Sequence, residues 1–260
     1  MSRFPFKRLP VELIQEIVRQ STPKDQVALS MVSNSLRNIA KPVIFRTINM
    51  KGENAAIKWL GDKSLNGIKK HVRSLSCRKI EDFDNPTDSQ STNGYQGFFA
   101  QGLDGFENLT SLCLATACLN DFELITNPQP RIKNLTLEDC EATSKGLAML
   151  VNKFPNVTHL TLLRLDDVEA DGGVSPALSL SSPTPRKLSI SGFPPDCSGL
   201  LDVIFSHPWG EISILNEYVA FPVLSAQEFI NRGSPNLIRL DLQEQILRTR
   251  DRPTILPWER

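Results

Sequence analysis

The thiols and imidazoles are the side chains of this 260-residue chain best suited to nucleophilic or metal-holding chemistry, and their spacing favours neither. Cys77, Cys113, Cys118, Cys140 and Cys197 form an odd set without a Cys-x-x-Cys pair, and His71, His159 and His207 lie scattered. A zinc site needs such residues clustered. The cysteines read instead as small buried hydrophobes in a reducing compartment. A Cys–His nucleophile needs a thiolate beside a base, and Cys140 with His159 is the pairing that can be named. The adjacent carboxylates Asp166-Asp167 and Glu81-Asp82 fall in loop-like stretches with no partner base. Neither a Gly-rich phosphate loop nor a Gly-x-Ser-x-Gly elbow occurs. The expectation is a non-catalytic chain with no cofactor and no metal. Three triplets, Asn108-Leu-Thr110, Asn134-Leu-Thr136 and Asn156-Val-Thr158, have the form of sugar acceptors. A periodic pattern described below accounts for them better.

Composition narrows the field of partners. Twenty-nine basic and 29 acidic residues leave zero formal charge and a pI near 6.8, so the chain has no general pull on nucleic acid or anionic lipid. No apolar run approaches the roughly 18 residues of a membrane span, and no signal-peptide core opens the chain. A hydrophobic fraction of 40% argues against global disorder and for a core, with room for one domain or two. Charge is not evenly spread. Residues 1–50 hold eight basic and three acidic side chains, a net of +5, which the remainder balances with −5. Such a split suits two parts facing different partners, or a solvated helical surface that happens to be basic.

The first part is helical. From Pro10, apolar residues fall at 10, 13, 14, 17 and 18, an amphipathic stripe with Glu12, Gln15, Glu16 and Arg19 opposite. Proline suits a first turn, where its missing N–H would lack a partner anyway. Ser21-Thr22-Pro23 restarts the chain: Thr22 can cap, Pro23 sits first, and Asp25 favours the positive helix end. Further apolar positions from Val27 to Ala40 continue the pattern to about Lys41, where Pro42 predicts a stop. Three helices this short bury too little to be secure alone and need something to dock on.

These residues resemble a known family. The run Leu9-Pro-Val-Glu12-Leu13, Ile17, Pro23-Lys-Asp25, Leu29-Ser-Met-Val32, Leu36-Arg37, Pro42-Val-Ile-Phe45-Arg46 is similar to an F-box over roughly residues 5–46. Leu36 stands where many F-boxes carry tryptophan, and Ser33 where cysteine is frequent. The resemblance implies that the three helices bind the Skp-type adaptor, and through it the cullin, of SCF (Skp–cullin–F-box) ubiquitin ligases. Leu9, Pro10, Leu13, Ile14, Ile17 and Val32 are the adaptor-contact residues it implies.

Beyond residue 43 one six-residue pattern recurs, apolar-x-x-apolar-x-apolar. Its middle apolar residues are Ile48, Leu75, Leu112, Leu135, Leu160, Leu188, Ile212 and Leu240, spaced by 27, 37, 23, 25, 28, 24 and 28. All but one interval lie in or at the edge of the window for leucine-rich repeats. The alternating end of each copy suits a short parallel strand with one buried face. Helical stretches lie between copies at 55–60, 145–151, 200–205 and 226–230, and Pro155-Asn156 and Pro235-Asn236 mark loops that lead into strands. The polar stretches 81–94 and 166–185 read as surface excursions.

The predicted fold is therefore α/β: a three-helix F-box at 1–46, a leucine-rich-repeat domain at 47–247 forming a curved right-handed parallel sheet with helices outside, and a tail or partial cap at 248–260. Ile255, Leu256 and Trp258 either fold back over the last repeat or leave that end for a partner. A closed α/β domain is the alternative. In a repeat strand the x residues face away from the core. Asn134, Thr136, His159, Thr161, Lys187 and Arg239 on that face are the candidate contacts for a target protein, on a polar surface suited to a peptide rather than a phosphate backbone. The resemblance to F-box/leucine-rich-repeat proteins of the fungal kind implies a cytoplasmic or nuclear substrate receptor of an SCF ligase. An F-box scaffold with no role in ubiquitination and a hydrolase are the other expectations.

Overall fold

The computed structural model describes residues 9–51, 59, 61–78, 103–116, 119, 129–167, 178, 186–192, 200, 203–204, 207, 209–216 and 239–244. The predicted stretch 226–230, the excursion 81–94 and the tail 248–260 lie outside them, as do most of 55–60 and of the excursion 166–185.

Helix α1 (Val11–Gln20) begins after Pro10, whose carbonyl accepts the N–H groups of Leu13 and Ile14. Helix α2 (Pro23–Val32) starts as its sequence predicts: the Thr22 hydroxyl accepts the Asp25 N–H at 3.3 Å and itself donates to the Asp25 carboxylate at 2.6 Å. Helix α3 (Asn34–Ile44) is capped by Ser33, whose Oγ accepts the Leu36 N–H at 3.1 Å. Pro42 does not end it. In the last turn a proline costs only its own bond to the carbonyl four residues back, and the Phe45 N–H still reaches the Lys41 carbonyl at 3.0 Å. Ile14, Val18, Leu36 and Ala40 close a small core, flanked by Leu9, Leu29, Ile39, Val43 and Ile44.

From α3 the chain passes directly into a parallel sheet. Its strands are β1 (Thr47–Lys51), β2 (Ser74–Arg78), β3 (Ser111–Ala115), β4 (Asn134–Glu138), β6 (His159–Leu163), β8 (Lys187–Ser191), β9 (Glu211–Asn216) and β10 (Arg239–Glu244). Among the described residues these eight lie in chain order, and β1 and β10 form open edges, so the sheet is not closed. Every strand predicted from the six-residue pattern is present. A separate two-stranded ribbon pairs β5 (Glu141–Ala142) with β7 (Asp166–Asp167). The Asp166-Asp167 pair is thus strand rather than loop. After the sheet begins the described helices include α4 (Asn66–Lys69) and α5 (Ser144–Asn152), the second capped by the Thr143 hydroxyl, which accepts the Gly146 N–H at 3.0 Å.

Register is uniform. Ile48, Leu75, Leu112, Leu135, Leu160, Leu188, Ile212 and Leu240 pair in sequence across all eight strands. From Leu75 to Ile212 these side chains are at most 2% exposed. Each such burial contributes on the order of 1.5–3 kcal/mol before conformational entropy is counted. Because side chains alternate, the same register places Ser76, Cys113, Thr136, Thr161, Ser189 and Ser213 together on the opposite, half-exposed face.

Two backbone devices repeat. At the strand entrances one carbonyl takes two N–H groups from the next turn: Arg46 from Arg73 and Ser74, Arg73 from Thr110 and Ser111, Thr110 from Lys133 and Asn134, Lys133 from Thr158 and His159. At the strand exits Thr116, Asp139, Arg164 and Gly192 adopt left-handed backbone, with φ of 56°, 51°, 50° and 66°. The N–H of each of the first three donates to the next strand's last carbonyl, Glu138, Leu163 and Ser191, at 2.8–2.9 Å.

Side chains add clasps between turns. Asn108 Nδ2 donates to the Lys70 carbonyl at 2.6 Å and Asn156 Nδ2 to the Pro130 carbonyl at 2.9 Å. Thr110 and Thr158 hydroxyls donate to the Arg73 and Lys133 carbonyls. Two of the three Asn-x-Thr triplets therefore tie one turn to the one before it. The third, Asn134 to Thr136, lies within β4.

Candidate functional site

Two surfaces carry the predicted contact residues, and each follows from how its elements are built. On the helical head, α1 turns Ile14 and Val18 inward and leaves Leu13 and Ile17 outward, 52% and 39% exposed. Short α2 has no inward face of comparable strength, and Met31 and Val32 stand 74% and 71% exposed at its end. With Val11 and Val27, these are the large hydrophobics that stand exposed among the described residues, and all lie between positions 11 and 32. Scattered exposed leucines need no explanation, whereas a concentration confined to two neighbouring helices marks an interaction surface. Of the six candidate adaptor contacts, Leu13, Ile17 and Val32 belong to this surface, Pro10 is exposed and Leu9 half-buried. Ile14 differs: it is 8% exposed and anchors the head's own core. Its place in the stripe could not reveal this, since the inner and outer apolar residues of α1 alternate at the same helical spacing.

On the sheet, the first position of each strand forms one row: Thr47, Ser74, Ser111, Asn134, His159, Lys187, Glu211 and Arg239. The candidate target contacts Asn134, His159, Lys187 and Arg239 sit in this row and are exposed, while Thr136 and Thr161 occupy the neighbouring row, half-exposed. The register brings all six to one face. Within the row Lys187 Nζ and Glu211 Oε2 pair at 2.5 Å. His159 Nδ1 lies 3.0 Å from the Thr158 hydroxyl.

The strand exits hold a charge cluster absent from the sequence expectations. Arg78 and Arg164 both reach Glu138 Oε1, at 3.1 and 3.0 Å, and Arg164 also grips both oxygens of Asp139 at 2.5 and 3.0 Å. The Arg164 bonds hold the Asp139 carboxyl below its ordinary range and raise the guanidinium's own affinity for its proton. Arg78 and Glu138 are 60 residues apart in sequence, and only the strand register, spanning β3 between them, makes them neighbours.

Among the described residues Cys140 and His159 do not form a nucleophile pair. Cys140 is wholly buried with Sγ directed at the Leu114 and Glu138 carbonyls, whereas His159 is exposed on β6. Cys77 is pushed up by burial, with Cys113 adding to the effect, and Cys113 too is raised chiefly by burial. Among the described residues no group of His, Cys, Asp and Glu could hold a metal ion, and no helix is long and apolar enough to cross a membrane.

A further site of charge is internal. Arg186 is 1% exposed: Nη1 donates to the Val157 carbonyl, Nη2 donates to that of Pro155 at 3.1 Å, and Nε has no partner. It stitches the β8 turn to its predecessor as Thr158 does one turn earlier. His207, buried beside it, is pushed down to about 4 by burial and by the Arg186 charge. The His207 ring meets Trp209 edge-on at 5.1 Å, and Trp209 Nε1 donates to the Ile204 carbonyl at 2.8 Å.

The described residues thus form a helical head with an uncovered apolar surface followed by an open parallel sheet, an α/β arrangement. Residues 6–47 match the F-box domain family, so an F-box occupies the head. None of the curated proteins matches the chain.

Proposed function

We propose that this chain is the substrate-recognition subunit of an SCF-type ubiquitin ligase. The F-box holds a Skp-type adaptor, through which a cullin is reached, and the sheet is a leucine-rich-repeat solenoid whose exposed rows hold a target protein. The observation that carries this reading is the apolar surface of Leu13, Ile17, Met31 and Val32 on the F-box helices. Water-exposed area of that kind is stabilised by an apolar partner, and truncating its central residues removes most of the binding energy. The regular register supports the repeat assignment, since among the described residues each strand of the sheet pairs with its neighbours in chain order. The chain supplies no bond-making group of its own. It raises the rate of ubiquitin transfer by holding target lysines near the catalytic subunits, in the cytoplasm or nucleus.

The test is co-purification with a Skp-type adaptor, followed by reconstitution of the ligase. Leu13→Asp with Ile17→Asp is expected to abolish adaptor capture while the far-ultraviolet circular dichroism stays unchanged, because neither residue belongs to the head core. Capture retained by the double variant overturns the adaptor assignment. Adaptor binding without ubiquitin conjugates on any sheet-bound protein would favour an F-box scaffold instead.

A further inference from the structure

We propose that the groove between the helical head and the first turn of the sheet docks an acidic segment of a partner protein that carries an apolar anchor residue. The groove is a cavity of about 270 Å³ with an apolar floor of Val27, Ile44, Phe45 and Ile68, contributed by α2, the end of α3 and α4. That volume takes one or two apolar side chains and is below the usual size of a small-molecule site. Its rim is cationic. Arg37 and Lys41 line it from α3, and among the described residues no acidic side chain lines it. Arg37 Nε donates to the Ser30 carbonyl at 3.3 Å, which fixes the guanidinium at the mouth, and neither Arg37 nor Lys41 has an ion-pair partner among the described residues. The positive field extends just past the end of α4, where His71 is pulled down by burial and by the neighbouring charges of Lys70 and Lys41.

Charge complementarity selects the occupant. A nucleic acid has no use for the apolar floor, whereas an amphipathic peptide satisfies floor and rim together: carboxylates meet Arg37 and Lys41, and one leucine or phenylalanine fills the cavity. The groove shares Val27 with the exposed apolar surface of the head, but neither Leu13 nor Ile17 lines it, so its test does not depend on the adaptor reading.

The test uses the full chain and a labelled peptide of roughly 15 residues with glutamates around one leucine, read by fluorescence anisotropy. Two control peptides replace the glutamates with lysines, or the leucine with alanine. Only the acidic, leucine-bearing peptide is expected to bind, and its affinity is expected to fall between about 50 and 500 mM salt. Arg37→Glu with Lys41→Glu should weaken it by roughly tenfold or more, and the milder Arg37→Gln with Lys41→Gln should weaken it in the same direction. Leu13→Asp with Ile17→Asp should leave it unchanged. Equal binding of the lysine peptide, insensitivity to both rim variants, or competition by phosphatidylserine vesicles at the same residues would overturn the proposal.

Discussion

At the scale of single residues, the exits of the strands concentrate backbone strain. Left-handed backbone costs a residue bearing Cβ about 1 kcal/mol or more, yet Thr116, Asp139 and Arg164 all accept it to place an N–H on the next strand's carbonyl. Gly192 fills the equivalent corner, where an added Cβ would also sit 2.7 Å from Arg164 Cγ. Gly192→Ala is therefore expected to destabilise the fold by about 1–2 kcal/mol, measured as a lower denaturant midpoint at unchanged slope. His207 contributes to the loss of stability in acid. Its folded value near 4 lies below the 6.5 of an exposed imidazole, so the unfolded chain binds the extra proton first and stability falls as pH drops from about 6.5 to 4. The full effect is up to about 3 kcal/mol. His71, also held low, acts in the same direction, and Asp139, held low by Arg164, adds a loss only below the ordinary carboxylate range. His207→Phe, which keeps the edge contact with Trp209, should flatten the profile in that window when unfolding is followed across pH.

At the scale of elements, the eight strands of the main sheet and the helices of the head were legible because each announces itself locally, whereas the β5–β7 ribbon and the short α4 were not. Eight strands follow from one six-residue pattern, and Thr22 and Pro23 mark the start of α2 by hydrogen-bonding chemistry that needs no tertiary context. The end of α3 was not legible in the same way. A proline stops a helix only where the lost bond matters, and at Pro42 two further residues continue it. Equally hidden was the cluster of Arg78, Glu138, Asp139 and Arg164, which exists only after register is fixed. Register also divides residues that look alike in sequence. Asn156 donates to the preceding turn, whereas Asn134 stands exposed in β4. Asn156→Ala is expected to cost about 1 kcal/mol, and Asn134→Ala less than about 0.5 kcal/mol, in parallel urea titrations.

At the scale of the whole molecule, two hydrophobic cores sit in series. The sheet core runs from Met50 to Ile212, while the head closes on Ile14, Val18, Leu36 and Ala40. Four buried side chains fall short of the conformational entropy of three ordered helices. Residues 1–46 alone are expected to show far less helix by circular dichroism than α1–α3 contain in the intact chain, and recovery of full helicity in that fragment would show that the head stands by itself. The sheet imposes a different rule on anything laid over it. Neighbouring strands advance by about 4.8 Å, whereas an extended chain returns a side chain to the same side every 6.6 Å or so and a helix every 5.4 Å. A straight ribbon crossing the rungs from Asn134 to Arg239 slips out of step by almost 2 Å at each one, and a helical rod by little more than half an ångström. The ladder thus works as a vernier, on which only a visitor of matching pitch stays aligned over several rungs.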